Sequence, residues 1–522
     1  TVYNTPFGIM FDKLPNLTKL EQCLHSLVKR HQALRTYFEI EEDKVVQKIK
    51  DNISVKLEVL ETKNQSIEEL FDEFIKPFDL SVAPLFRAKF IKSNKLNILL
   101  IDMHHIICDG QSSSIFADEL CKLYNGEDLE KEDIDYIDYS VWENNYSKTQ
   151  SFENSKTFWI NNFKNGIPVL NMPIQKSRPK TQSFKGHKIY GEILNTDSLL
   201  DICKKLNTTP YMFLLSLYYV LLYKYTNQDE YVVGSPIVGR DNSQVSNILG
   251  MFVNTLPLKA TINSNMSFKE FLNNVMDNCI KAFENQSYPF DEIVKNLDIS
   301  RDASNTPLFN TMFTYQNNGV PKLELNDVSI KYLIPDNKTS KFDFSLEISP
   351  KDSCLKLSLE YCTDLFEQKF MEDFLNHYIN IFNYVITHDL NVLIKDISIL
   401  SEDEKHMLIY DYNNTYIEYS KDKTIVELFE EQVKKSHSKN AIIFGDKSIT
   451  YAELNEKSNQ IAKFLREKGI KPNDVVGIML NRSLELITCM MGILKAGGAY
   501  LPIDPTYPED RINYIIKDSN VN

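Results

Sequence analysis

The stretch Met103-His104-His105-Ile106-Ile107-Cys108-Asp109-Gly110 constrains the chain more than any other. The run before it, Leu96-Asn97-Ile98-Leu99-Leu100-Ile101-Asp102, is short and apolar and reads as a buried β-strand. After it, Phe116, Leu120, Leu123 and Tyr124 recur at helical spacing, and Asn125-Gly126 marks a stop. Asp109-Gly110 is a turn signal between the two elements. Strand, turn and helix therefore place two histidines at a strand end, with a carboxylate four residues beyond His105. Neighbouring strand residues point to opposite faces. One histidine is expected to face a cavity while the other packs, which suits a single general base better than a metal pair.

With 522 residues, the chain predicts about three to four structural units at roughly 150 residues each. A net charge of −14 argues against nucleic acid or an anionic membrane as main partner. The longest apolar run, Tyr211 to Tyr225, is short for a membrane span and is broken by Ser216 and Lys224. Thr209 as cap and Pro210 at the first helical position mark it as a buried core helix. Eight cysteines without a CxxC pair read as reduced thiols, hence a cytoplasmic protein. The chain begins at Thr1 and its end falls inside a domain-like pattern, so it reads as a fragment cut at both ends.

The histidine stretch resembles the HHxxxDG signature of nonribosomal peptide synthetase condensation domains, members of the chloramphenicol acetyltransferase-like superfamily. Its company strengthens the resemblance. Arg30-His31-Gln32-Ala33-Leu34-Arg35-Thr36-Tyr37-Phe38 is similar to RHxxLRTxF, and Tyr3-Asn4-Thr5-Pro6 to an opening YNxP-like run. Pro77-Phe78-Asp79-Leu80 with Pro84-Leu85-Phe86-Arg87 resembles PFDLxxxPLxR, read from the residues as turn punctuation without chemistry. Tyr136 to Trp142 resembles YxDYAxW, and Gly250 to Leu258 is similar to GxFVNTLPLR. Further on come Asn285 to Phe290, Arg301 to Asn310, Lys341-Phe342-Asp343-Phe344 and Glu360 to Phe366, in family order. Three positions depart from the pattern: Thr306 stands for Asn, Asn305 for Arg and Ser287 for Asp.

The resemblance implies an α/β fold of two chloramphenicol acetyltransferase-like lobes in a V, with a substrate tunnel between them. Proline-rich breaks from Gly166 to Lys185 place a lobe boundary there, giving lobes over 1–165 and 166–410. Residues 395–422 read as a linker. In the third part, 411–522, Ile449 to Asn455 and Leu494 to Pro505 resemble the LTYxELN and LKAGxAYVPIDP segments of adenylation (AMP-binding) domains, here a partial N-terminal region. Gly497-Gly498 lacks a following Lys-Ser/Thr, so it reads as a helix stop before a buried strand and not as a phosphate loop.

The reaction implied by resemblance joins an upstream carrier-bound aminoacyl or peptidyl thioester to the amine of a downstream carrier-bound aminoacyl group. His105 is the implied catalytic residue, as general base or as positioning group. His104 is expected to support it, and Asp109 to be structural, salt-bridged by Arg30 or Arg35. The amide of Gly110 is a candidate to face the thioester oxygen. Asn254 and Thr306 are candidate tunnel residues. Cys108 reads as a small buried thiol. No metal site is expected. The cofactors implied are the 4′-phosphopantetheine arms of partner carrier domains, with ATP and Mg only for a complete adenylation domain. The partners implied are the two loaded carriers and the rest of a multidomain synthetase of antibiotic or other secondary metabolism. A non-catalytic carrier-docking module, or an epimerisation or acyltransferase relative, is the alternative reading.

Overall fold

The computed structural model describes residues 2–521 apart from 63–64, 94–95, 195, 241, 298, 300–301, 317–322, 327 and 337. Thr1, Arg301 and Asn522 thus lie outside the described residues. Contacts group the chain into two compact units, 1–408 and 409–522.

In the first unit the apolar run before the histidines is the strand Asn97–His104. It is the middle of a five-stranded sheet, paired antiparallel with Asn4–Phe11 on one side and Phe86–Lys92 on the other. Both of its faces are covered, which is why it reads as continuous apolar sequence instead of an alternation. Leu99, Ile101 and Met103 enter one core with Phe7, Phe86 and Phe116. Ile98 and Leu100 enter another with Leu70, Phe71 and Phe74.

The second sheet has six strands in the order Gly186–Leu194, Cys354–Cys362, Phe344–Lys351, Thr311–Tyr315, Glu230–Ile237, Asn254–Thr261. One face carries Phe344, Leu346, Ile348, Leu355, Leu357 and Leu359 into the largest core. The helix Pro210–Thr226 runs through that core, with every residue from Met212 to Tyr223 buried. Thr209 caps it and Pro210 opens it, as the sequence indicates. The alternate residues Ser345, Glu347, Lys356, Ser358, Glu360 and Lys188 lie outside that core.

Packing does not follow a division at 165/166. The helix Gln150–Phe163 belongs to the second core: Trp159 is fully buried there and its indole N–H donates to the Asn285 carbonyl at 2.9 Å. In the other direction, Ile330–Leu333 leaves the second half of the chain and becomes the edge strand of the first sheet, paired with Gly8 to Phe11. Proline breaks mark where the chain turns, and apolar surface decides which core a segment joins.

In the second unit, the helices Ile425–Ser436, Tyr451–Glu467 and Leu484–Ala496 accompany two short strand pairs. Gly497 ends the last of these helices at φ 95°, a left-handed cap that favours glycine, so the helix-stop reading holds. The following strand, Ala499–Pro502, is largely exposed instead of buried, because Val475–Ile478 is the one strand paired with it among the described residues. Lys495 is buried, and Asn455, Asn459 and Glu430 hold its ammonium. This ties the two adenylation-like segments to each other.

Candidate active site

The strand ends at His104, and His105 begins a short 3-10 turn, His105–Ile107. The change of backbone, rather than strand alternation, separates the two rings. His104 Nδ1 accepts the Ile106 amide at 3.1 Å, which leaves its proton on Nε2. The ring of Phe78 meets the His104 ring edge-on at 6.1 Å. His104 is thus held in place, as a supporting residue would be.

The His105 amide donates to the Tyr3 carbonyl at 2.8 Å, fixing the turn to the first strand. Its Nδ1 is buried and meets no partner in hydrogen-bond geometry. Burial lowers the His105 pKa, and the Lys341 ammonium lowers it further. The carbonyls of His105 and Cys108 and the Asp109 carboxylate oppose that shift. The net direction keeps the imidazole neutral at physiological pH.

Asp109 caps the helix Gly110–Asn125, accepting the Ser112 amide and hydroxyl, each at 2.7 Å. Its other partners come from the far side of the chain. The Arg240 Nη2 donates to both carboxylate oxygens at 3.1 Å, and the Phe252 amide reaches Oδ2 at 3.3 Å. Arg240 is anchored in turn: Nη1 donates to the Val245 and Ile248 carbonyls at 2.7 Å, and the guanidinium lies 4.0 Å from the Phe252 ring centroid.

Neither arginine expected beside Asp109 is there. Arg30 ends the helix Leu17–Arg30 and reaches Glu119 and Glu132, both at 3.2 Å. Glu119 also takes His31 at 2.6 Å and lies well along the capped helix from Asp109. Arg35 gives its N–H groups to the carbonyls of Val28, Lys50 and Asp51. Both arginines brace the helix and hairpin of the first lobe. The charge on Asp109 is met across the lobes.

The profile described as "Condensation domain" matches residues 1–409. The chain belongs to that family. A second profile, described as "AMP-binding enzyme", matches residues 429–522 of the chain. Gramicidin S synthase 2 of Brevibacillus brevis is 42% identical over 523 residues, covering 99% of this chain and 12% of that protein. Bacitracin synthase 3 of Bacillus licheniformis is 41% identical, covering 99% of this chain and 8% of that protein. The chain therefore spans a small part of these curated relatives. Among solved structures, a holo four-domain nonribosomal peptide synthetase bound to AMP and glycine matches all of this chain and 41% of its own at a TM-score of 0.88 and 22% identity. The X-domain from teicoplanin biosynthesis matches 76% of this chain and 93% of its own at 0.71 and 18%. These likenesses show that the chain shares the fold of those proteins.

Within the condensation domain the remaining candidates separate. Gly110 is exposed at the start of the capped helix, and a Cβ there would meet nothing within 4 Å. The backbone is open to approach on that side. Asn254 is not free for a substrate. Its amide donates to the Gln286 and Tyr288 carbonyls and its oxygen accepts the Thr255 and Phe290 amides, so it clamps the turn before the helix Phe290–Asn296. Thr306 Oγ1 is touched by Gln182 Nε2 at 3.4 Å, and the same nitrogen donates to the Lys341 carbonyl at 2.8 Å.

Cys108 is fully buried, with Sγ 3.2 Å from Thr5 Oγ1 and burial pushing its thiol up to about 12. A thiol held in that state is no nucleophile. Asp102, one residue before Met103, is fully buried too. Asn4 Nδ2 donates to it at 2.7 Å and Arg87 Nε lies 3.5 Å away, stacked on Phe78. Arg87, expected to be turn punctuation, is thus the cation that faces the histidine strand's buried carboxylate.

Sequence reasoning missed Arg240 and Lys341. Arg240 follows Gly239, three residues after the strand Glu230–Ile237 ends, and nothing in its local sequence marks it as a partner of Asp109. Lys341 opens the run Lys341-Phe342-Asp343-Phe344, with nothing local to mark its charge as lying near the histidine turn.

Proposed function

We propose that the chain is an elongation-module fragment whose condensation domain forms an amide bond between two carrier-bound substrates. The observation that carries the reading is His105, an imidazole kept neutral by burial at a turn fixed through the Tyr3 carbonyl. The acceptor amine arrives largely protonated and must lose that proton to attack. That first proton goes to solvent; as the N–C bond forms, a neutral imidazole takes a second proton from the nitrogen and relays it. The N–C bond forms, the carbonyl π pair moves to oxygen, and collapse breaks the C–S bond. The pantetheine thiolate leaves and takes up a proton, giving amide and free thiol. Asp109 takes no part in proton transfer, since its oxygens are committed to Arg240, Ser112 and Phe252; it holds the turn that presents His105. Substrates arrive on the 4′-phosphopantetheine arms of an upstream and a downstream carrier, and orientation by docking supplies part of the rate, within the ~7–11 kcal/mol available from ideal positioning. ATP and Mg belong to the complete adenylation domain.

The test mixes the chain with donor- and acceptor-loaded carriers, in EDTA, and follows dipeptide on the acceptor. Wild type is expected to turn over carrier-bound groups far better than the same groups on a short soluble thiol. Equal efficiency with both would favour a free-standing acyltransferase. No product from any loaded pair would leave a non-catalytic docking module.

A further inference from the structure

Lys341 lies three residues before the strand Phe344–Lys351 of the second lobe, and the polar atoms around it are tied down. Its carbonyl accepts Gln182 Nε2 at 2.8 Å and its amide points to Glu360 Oε1 at 3.4 Å. Before it, the buried Ser340 hydroxyl donates to the Phe342 carbonyl at 2.7 Å. After it, Asp343 is paired through both oxygens with Arg178. The segment is therefore fixed on each side of the lysine.

The ammonium itself is treated differently. Among the described residues no carboxylate lies within ion-pair distance of Lys341 Nζ; the neighbouring Glu360 is ion-paired with Lys188 at 3.4 Å. The partner of Nζ is the Tyr3 ring, whose centroid is 5.1 Å away. Tyr3 is the residue whose carbonyl holds the His105 amide, and its ring lies 6.4 Å from that of His104. A half-buried cation without a carboxylate is costly to keep unless an anion visits it. Burial pushes the Lys341 pKa down from its ordinary value while the Glu360 charge opposes that. The second lobe thus brings a positive charge with no ion-pair partner among the described residues towards the histidine turn of the first.

Resting on the amide-forming reading above, we propose that Lys341 is a charge-stabilising residue of the reaction, its ammonium placed to hold the oxyanion formed when the acceptor amine attacks the donor thioester. The electron pair leaving the carbonyl π bond comes to rest on oxygen beside a positive charge, and it returns when the C–S bond breaks. Lys341 keeps its proton throughout; the amine's proton passes by His105 to the leaving thiolate. The same charge makes a protonated His105 costly, so one residue serves both halves of the step. The other charged side chain acting on His105 is Asp109 from the helix cap; His105 acts in turn on His104, and Glu360, Lys188 and Cys108 act on Lys341.

The experiment compares wild type, Lys341→Arg, Lys341→Met and Lys341→Gln in single-turnover dipeptide formation with loaded carriers from pH 5.5 to 9, with melting curves for each. Lys341→Met is expected to lose roughly 10²-fold in maximal rate, the scale of one oxyanion-stabilising group, with carrier half-saturation unchanged. Its acid limb moves to higher pH as His105 is released from the positive charge, and Lys341→Arg recovers most of the rate. If Lys341→Met melts early, Lys341→Gln, which keeps a polar end without charge, takes its place. A rate within threefold of wild type and an unshifted pH profile in the neutral variants would overturn the proposal. Equal losses in Arg, Met and Gln would also overturn it, since shape and not charge would then matter. An inactive wild type would instead defeat the condensation reading.

Discussion

Asp109 and Arg240 come from different lobes and meet through both carboxylate oxygens at 3.1 Å, with side chains 0% and 3% exposed. The pair is worth little as a source of net stability, since both charges have left water. Its loss is another matter, because either partner alone is a buried charge. What the pair provides is a fixed relation between the helix that follows His105 and the segment that carries Arg240.

Asp109→Ala is accordingly expected to destabilise the domain by about 3–5 kcal/mol in denaturant unfolding. Arg240→Met should cost a similar amount. The double variant is expected to cost clearly less than the sum of the two, because no orphan charge remains. Additive losses would show that the two residues act separately.

His105→Ala is expected to leave the melting temperature near wild type while dipeptide formation falls by about 10²–10⁴-fold. The pKa direction adds a sign. A histidine whose folded pKa is lowered stays neutral further into acid, so the acid limb of the rate should lie below 6.5, the ordinary value. In stability the same shift acts against the fold in acid: as pH falls below 6.5 the unfolded chain binds the proton first. A rate profile with its limb at or above 6.5 would contradict the burial and the Lys341 charge together.

Asp102 carries the opposite sign of shift for an acid. Burial pushes it from 3.8 to about 6, against the pull of Asn4 and Arg87. The folded state therefore binds its proton more tightly than the unfolded one. Its stabilising contribution is full below pH 3.8 and is lost as pH rises through about 6, a change of about 3 kcal/mol. Asp102→Asn is expected to flatten stability between those pH values and to leave neutral-pH stability equal or higher. Denaturant titrations of both proteins across pH 4–7 check this, and parallel curves would refute it.

Cys108 is expected to resist iodoacetamide in the folded chain at neutral pH and to react once unfolded, as a buried thiol raised to about 12 requires. Cys108→Ala should retain dipeptide formation. Loss of activity in a well-folded Cys108→Ala would return the thiol to the mechanism.

What was legible in the sequence was local. The apolar run, the turn and the helical repeat around His105 lie within thirty residues, and each follows from pattern and capping alone. The core helix after Thr209-Pro210 was legible for the same reason. The partners of Asp109 were not. Arg30 and Arg35 have the right charge and come early in the chain, but Arg30 sits where a helix end meets Glu119, and Arg35 where carbonyls converge. Arg240 is 131 residues from Asp109 and Lys341 is farther still from His105, so only the folded chain brings them together. Asn254 failed as a tunnel residue because the sequence does not reveal that four backbone groups would claim its amide.

The edge strand Ile330–Leu333 has a practical bearing on building hybrid synthetases. Pairing Gly8 with Leu333 and Phe11 with Ile330 stitches the end of one lobe's sheet from the other lobe's sequence. A chimaera joined near residue 165 would give the donor's sheet a foreign border strand and hand its Trp159 helix to a foreign core. Splicing two parents inside the condensation domain then calls for transplanting the border strand along with the first half, or for moving the crossover beyond both lobes.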